Sequence, residues 1–441
     1  MDLAAIFKAY DVRGLVPSQL DETVALRIGA AFATWTGAGR LAVGHDARHS
    51  SPALADAFAA GAAGTGADVD LLGMVATDMT YHAAAIFSEP AAMITASHNP
   101  KGWNGIKLCL PGAAPVGAET GLAEVRQLAE SGQVVTDGVG ALTRRDVVGD
   151  YVDHVLRVVE AESIGPMTVA VDGGNGVAGV VIPRIFDSIP AELSGLYLDP
   201  DGSFPNHHPD PLRPENLRDL ERLMTESRPA LGVAFDGDAD RAFFIDDAVQ
   251  PLSGSTITAM IASWFLRRRP GARVVHNLIC SRAVPERVLA EGGVPIRTRV
   301  GHSFIKTVMA ETDAEFGGEH SGHYYFRDHH RADSGVLAML VLMRLLSEDG
   351  RPLSEIRKEY EPYAQSGELN LEVDDQSAAL EAAAKAFPGN HDRLDGLTVD
   401  LGDRWFNLRP SNTEPVLRLN VEAPDPEAVA GLVDRVRAVL A

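Results

Sequence analysis

Short apolar runs recur along the first three quarters of the chain, each passing into a polar, often glycine-bearing stretch. The runs in LAVGHDAR, AAMI (Ala91 to Ile94), VAV (Val169 to Val171), LGVAF, ARVVHNLICSR and AEFGG lack polar alternation. They therefore read as strands buried on both faces, as in parallel sheets. Helical periods separate them. Glu22 to Trp35 places Val24, Ile28, Phe32 and Trp35 on one face, and SPALADAFAAGAAGTG is an Ala-rich helix with Ser50 or Ser51 as N-cap and Pro52 in its first turn. Further helices are expected over Pro214 to Glu226 and Arg282 to Glu291. This alternation predicts three βαβ-type units on one plan: strand, loop, helix, then a strand ending in a polar loop. The loops holding Ser97, Asp236 and Glu319 should then be equivalent in position.

The pattern changes after Tyr363. An alternating strand (Leu369, Leu371, Val373), an Ala-rich helix, strands around LTVDL, RWFNLRP and VLRLNVE, and a last helix from Asp425-Pro426 burying Val429, Leu432, Val433 and Val436 predict a small α+β unit with a largely antiparallel sheet. At 441 residues the chain exceeds what one core supports, so three or four domains are expected.

Asp and Glu number 61 against 39 Lys and Arg, a formal charge of -22. That argues against a broad nucleic-acid or anionic-membrane surface and leaves room for a local basic pocket. The cysteines, Cys109 and Cys280, lie in apolar surroundings with no CxxC or Cys/His spacing. A cysteine zinc site or a disulfide framework is not expected, and a reducing cytoplasm fits. MDLAAIFKAYDVRG carries charges where a secretory signal needs an apolar core, and no run is long enough to span a bilayer.

Four stretches carry candidate chemistry. In ITASHNPKGWNGIK, Ser97 should stand just beyond the C-terminal end of a buried strand, where open α/β sheets place their chemistry. The turn dipeptides Asn99-Pro100 and Asn104-Gly105 should bring Lys107 back toward it; an ordinary polar turn is the alternative. In DGDADR, Asp236, Asp238 and Asp240 alternate, so three carboxylates can face one hard cation, Mg²⁺ or Ca²⁺. Arg241 stands where an EF-hand loop needs its glycine, which leaves a solvated acidic turn as the competing reading. GEHSGH supplies Glu319, His320, Ser321 and His323, suited to two adjacent sugar hydroxyls and to acid/base work or, alternatively, to a metal. RPSNTEP sets Arg409 beside small polar residues that could cradle a phosphate or merely cap a helix. Arg13, in FKAYDVRG, is placed at the end of a strand-like run, in a loop.

Together and in this order, the four motifs resemble the α-D-phosphohexomutase superfamily, in particular its bacterial phosphomannomutase/phosphoglucomutase members. The likeness extends to FKAYDVRG, GNGVAG, FPNHHPDPLRPENL and GHSFIK. It implies three similar α/β domains with mixed sheets (1–148, 149–250, 251–362) and a TATA-binding-protein-like α+β domain (363–441) around a central cleft. It implies interconversion of hexose 1-phosphate and 6-phosphate, of mannose and also glucose, in the cytoplasm and without an obligate protein partner. Ser97 would be a phosphoserine held with Asp236, Asp238 and Asp240 on one Mg²⁺, and a hexose 1,6-bisphosphate would be intermediate and activator. Arg13, Lys107 and His323 would serve acid/base and charge-stabilising roles, while Tyr10, Arg241 and His302 line the cleft. Glu319 and Ser321 would hold sugar O3 and O4, and Arg409, Ser411, Asn412 and Thr413 the unreacting phosphate.

Two departures stand out. LICSR has Ile279 where several relatives carry lysine, with Arg282 nearby as a substitute, and His320 stands where some have Met or Gln. Phosphoglucosamine mutases are the nearest alternative. A metal-dependent sugar phosphatase would lack the sugar clamp, and a sugar-phosphate-binding protein would have no reason to set Ser97 beside a metal loop.

Overall fold

The protein is represented by a computed structural model that describes residues 2–134, 138–411 and 416–440. The first three sheets share a four-strand motif. In the first, Arg40–His45 lies between Asp68–Met74 and Ala91–Ile94, all parallel, and Trp103–Leu110 returns antiparallel beside Ala91–Ile94. In the second, Thr168–Asp172 lies between Glu192–Leu196 and Leu231–Phe235, with Ala242–Ile245 returning. In the third, Arg273–Asn277 lies between Val294–Thr298 and Phe316–Gly318, with Tyr324–Phe326 returning. The expected repeat is therefore present. Its three polar loops all connect the third parallel strand to the returning one, because parallel strands end on a common edge and chemistry collects there.

Two local expectations need correction. The FKAYDVRG strand begins rather than ends near Arg13: Val12–Leu15 pairs antiparallel with Trp103–Leu110, setting Arg13 opposite Gly105. The helix Ser51–Ala63 has Ser50 at its N-cap and Pro52 in its first turn, yet neither serine caps it. Both hydroxyls instead accept from Asn104 Nδ2 at 2.8 Å, and Ser51 donates to Asp46 Oδ1 at 2.5 Å. A long-range polar network has displaced the local cap. By contrast Asp21 caps Glu22–Thr36 through Val24 N at 2.8 Å, as its residue type favours. Pro214–Asn216 is a separate 3₁₀ turn before the helix Arg218–Ser227, and Ala283–Ala290 forms as expected.

The last unit is one antiparallel sheet in the spatial order Ala364–Leu371, Leu417–Ala423, Trp405–Pro410, Leu397–Asp400, Asn390–Asp392. Helices Gln376–Ala386 and Pro426–Leu440 complete it, the latter burying Val429, Leu432, Val433 and Val436; Val373 falls beyond the first strand.

A continuous apolar core joins the helices Thr77–Ile86, Val148–Val158, Ala178–Phe186, Gly254–Arg268 and Gly335–Asp349. The first three units are thus welded by apolar burial. The last unit has its own core and meets the third largely through polar pairs, including Arg282–Asp400 at 2.7 Å and Arg297–Asp392. Among the described residues no helix is long and apolar enough to cross a membrane.

Asp78, fully buried in the first turn of Thr77–Ile86, accepts from Tyr151 Oη at 2.5 Å and Ser334 Oγ at 2.6 Å, tying the first unit to the second and third. Burial pushes its carboxyl up to about 7, against those two hydrogen bonds. The folded state then binds this proton more tightly than the unfolded chain, so its stabilising contribution is full below about pH 4 and is lost as pH rises through 7. Asp78→Asn should remove that slope. Between pH 5 and 8 the variant should gain about 3 kcal/mol relative to the parent, measured by urea unfolding at both pH values.

Candidate active site

Ser97 lies just past the strand Ala91–Ile94, at 3% exposure and with φ of 49°, a left-handed backbone that a non-glycine residue holds only under tertiary constraint. The constraint is visible. Its N–H donates to Thr95 Oγ1 at 2.9 Å, and its carbonyl accepts from Arg48 Nη2 at 2.7 Å. Gly237 of the acidic loop sits so close that a Cβ there would lie 2.6 Å from the Ser97 carbonyl oxygen. The two loops therefore meet backbone to backbone.

This approach sets the Ser97 hydroxyl against the acidic cluster: Oγ donates to Asp236 Oδ2 at 2.6 Å and accepts from Arg241 Nη2 at 3.2 Å. Arg241 also binds Asp236 through Nε at 2.9 Å and touches His98 Nδ1. Burial and then Arg241 push His98 well below the usual histidine range, so it is a neutral neighbour.

One oxygen each from Asp236, Asp238 and Asp240 lies within 4.8 Å of the others, and all three residues are at most 2% exposed. Lys107 reaches them from the returning strand Trp103–Leu110, donating to Asp238 Oδ2 at 2.8 Å and Asp240 Oδ2 at 2.5 Å. Burial would lower its pKa, but the two carboxylates outweigh it and hold the ammonium well above its ordinary range. Lys107 is thus bound to the acidic loop rather than to Ser97. Asp238 Oδ1 and Asp240 Oδ1 remain buried without a hydrogen-bond partner. Orphaned carboxylate oxygens in an all-oxygen set are what a hard divalent cation requires, so the residues fit Mg²⁺.

The third loop adjoins this cluster. His323 Nε2 lies 3.8 Å from Asp240 Oδ1, and its Nδ1 lies 3.1 Å from Ser321 Oγ. Burial lowers the His323 pKa against the pull of Asp240 and Glu319. Glu319 is held rigidly by Tyr325 Oη at 2.6 Å on one oxygen, and by Asn277 Nδ2 at 3.0 Å and Gly301 N at 3.2 Å on the other. Tyr10 donates to Val300 O at 3.2 Å and packs edge-on against His302, whose imidazole burial pushes down to about 3. Arg13 binds Asp11 at 2.9 Å and contacts Asn99 of the serine loop.

In the last unit Arg409 donates to Glu368 at 2.7 Å, and Ser411 N donates to Val416 O at 2.9 Å; Asn412 and Thr413 lie outside the described residues. Glu368 also pairs with Arg418 at 3.0 Å and approaches His320 of the third loop at 3.7 Å. Burial would raise the Glu368 pKa, but His320, Arg409 and Arg418 bring it to about 2. The Arg282 guanidinium is bound to Asp400 at 2.7 Å and Gly402 O at 2.5 Å in the last unit.

Comparison with known proteins agrees in order and extent. Sequence profiles of the phosphoglucomutase/phosphomannomutase family match residues 4–134 (α/β/α domain I), 149–249 (domain II), 253–363 (domain III) and 368–439 (C-terminal domain). A protein named as phosphohexose mutases from Xanthomonas campestris pv. campestris is 38% identical over 423 residues, 94% of each chain. The chain belongs to the phosphoglucomutase/phosphomannomutase family. A Salmonella montevideo phosphomannomutase is likewise 38% identical, over 96% of each chain. A crystal structure of a family protein from Burkholderia thailandensis superposes with a TM-score of 0.92 at 32% identity, covering 100% of this chain and 97% of the other. The protein is accordingly a phosphohexomutase, an isomerase of a superfamily that is in general Mg²⁺-dependent.

Two residues of this phosphohexomutase that the motifs did not reveal hold the site together. Arg48, 1% exposed, donates to four main-chain carbonyls of the serine loop (Ser97, Asn99, Pro100 and Trp103, at 2.6 to 3.1 Å) and to Asp46 Oδ2 at 3.1 Å. Thr77, at the N-terminus of its helix, donates its hydroxyl to Asp238 Oδ2 at 2.7 Å and its N–H to Asp238 O at 3.1 Å, where the helix dipole also favours negative charge. The only signal for Arg48 was an acid-base pair in a turn after a buried strand; for Thr77 there was none. Arg48→Ala should leave Asp46 uncompensated and the serine loop unpinned. The expected cost is roughly 3–5 kcal/mol by urea unfolding, with loss of most turnover; Arg48→Lys, lacking the fork, should recover only part of either.

Proposed function

We propose that this phosphohexomutase works through a phosphorylated Ser97 and a hexose 1,6-bisphosphate, on glucose as well as mannose phosphates. The observation that carries this reading is the 2.6 Å hydrogen bond from Ser97 Oγ to Asp236, which sets the hydroxyl of one unit against the carboxylate triad of the next. A serine built only for structure has no need of three buried acids. When bound at Asp236, Asp238 and Asp240, Mg²⁺ would neutralise phosphoryl charge, the main requirement of this transfer.

Phospho-Ser97 gives its phosphoryl group to the free hydroxyl of a hexose 1-phosphate, so the Oγ–P bond breaks as the new O–P bond forms and the hydroxyl proton leaves. His323 takes that proton, with Arg13, Lys107 and Arg241 spreading cationic charge around the transferring group. The bisphosphate turns over, the other phosphate returns to Ser97, and the proton is given back to the departing sugar oxygen. Glu319 and Ser321 hold sugar O3 and O4. Because mannose and glucose differ only at C2, such a site tolerates both. Arg409 and Ser411, with Asn412 and Thr413, hold the phosphate that is not reacting, and Tyr10 and His302 line the space between. The units are proposed to divide at 1–148, 149–250, 251–362 and 363–441, with one Mg²⁺ per chain.

A coupled assay with mannose 1-phosphate, glucose 1-phosphate and glucosamine 1-phosphate, with Mg²⁺ and a trace of hexose 1,6-bisphosphate, tests the reading. The first two should give 6-phosphate, Ser97→Ala should lose at least about a thousandfold, and intact-mass measurement should find one phosphoryl group on the parent and none on the variant. Preference for glucosamine 1-phosphate would move the assignment to that branch. Free phosphate without isomerised product would identify a phosphatase and overturn it.

Binding of the unreacting phosphate should depend on Glu368, which aligns Arg409 and Arg418. Glu368→Gln keeps shape but removes the charge. It should raise KM for mannose 1-phosphate several-fold, by about 1 kcal/mol, with a smaller change in kcat.

A further inference from the structure

Behind the active site, four of the chain's fourteen histidines come together from three separate segments. His82 lies on the helix Thr77–Ile86, His154 on Val148–Val158, and His329 and His330 on the turn after Tyr324–Phe326. One ring nitrogen of each lies within 4.8 Å of the others. His154 Nε2 faces His329 Nδ1 at 3.1 Å, and His330 Nε2 faces His82 Nδ1 at 3.3 Å. We propose that these four imidazoles bind one divalent transition-metal ion of the zinc type, which staples the three α/β units together.

The geometry favours a cation over a simple stack of rings. Tetrahedral zinc with bonds of about 2.0 Å to nitrogen sets neighbouring nitrogens about 3.3 Å apart, close to both facing pairs. Among the described residues no carboxylate hydrogen-bonds any of the four rings, and His329, fully buried, leaves Nε2 without a partner. The usual reasons for burying histidine, a carboxylate or main-chain partner, are therefore missing here. His330 has φ of 58°, a costly conformation that lets consecutive residues send both rings to one cluster instead of to opposite sides. His154 and His330 are only half-buried, so an ion has a way in.

The donor set also separates this site from the carboxylate triad. All-nitrogen ligation suits zinc, copper, nickel or cobalt and not magnesium, which takes oxygen. An ion here would fix the helix Thr77–Ile86, whose first residue holds Asp238, so occupancy would brace the acidic loop from behind.

The test uses tag-free full-length protein, stripped with a chelator and returned to saturating Mg²⁺. Calorimetric titration with ZnCl₂ should show one equivalent bound, CoCl₂ should give the intense visible bands of tetrahedral nitrogen ligation, and Zn²⁺ should raise Tm. His154→Ala and His330→Ala should each weaken binding at least about tenfold. The double variant should lose the one-equivalent binding, the cobalt bands and the Tm shift while keeping mutase turnover in Mg²⁺, which shows that it folds. Absence of one-equivalent zinc binding in the parent, or the same binding and cobalt spectrum in the double variant, would overturn the proposal. If the double variant loses turnover, the singles decide by the same readouts.

Discussion

Three carboxylates buried side by side are the constraint on which the molecule turns. Asp236, Asp238 and Asp240 repel one another in a medium that screens poorly, and a loop carrying them folds inward only if positive charge and hydrogen-bond donors arrive from elsewhere. The first unit supplies both: Lys107 from a strand, Thr77 from a helix N-terminus and the Ser97 hydroxyl from a loop. Arg241 adds a guanidinium from the acidic loop itself. The same requirement that stabilises the loop thus brings the Ser97 hydroxyl to it.

The repeated four-strand motif explains why this meeting happens at matching points. Each unit ends its third parallel strand at the same edge, so a junction that packs two units edge to edge puts functional loop against functional loop. Gly237 permits the approach to Ser97, and Gly176 permits the next one back, since a Cβ there would lie 2.7 Å from the Gly237 oxygen. The shared apolar core of the first three units fixes this arrangement, whereas the last unit is attached mainly through ion pairs. Those pairs can exchange for water at small cost.

Much of the site was legible because its chemistry is local. Ser97, the three aspartates, and Glu319 with Ser321 and His323 each lie in a short contiguous loop after an apolar run, and both the run and the loop leave marks in the residue order; Arg409 lies within the strand Trp405–Pro410. Arg13 and the serines at 50 and 51 were misplaced for a common reason. Their local propensities pointed to a loop and a cap, and distant partners, Gly105 and Asn104, decided otherwise. Arg282, near the start of the third unit, is paired with Asp400 of the last unit, which no local pattern records.

What the sequence by itself determined is the inventory: four polar motifs, their order, the repeat that carries three of them, and a final antiparallel unit. The tertiary structure alone decided the pairings. Lys107 meets acids 131 and 133 residues away, Arg48 pins a loop about fifty residues on, Glu368 joins two arginines to His320, and four histidines from three segments cluster together. Strand and helix patterns repeat within a few residues and are written into the order of side chains. Proximity across a hundred residues arises only when buried faces close on one another, and nothing in the local order records which charge will then stand beside which.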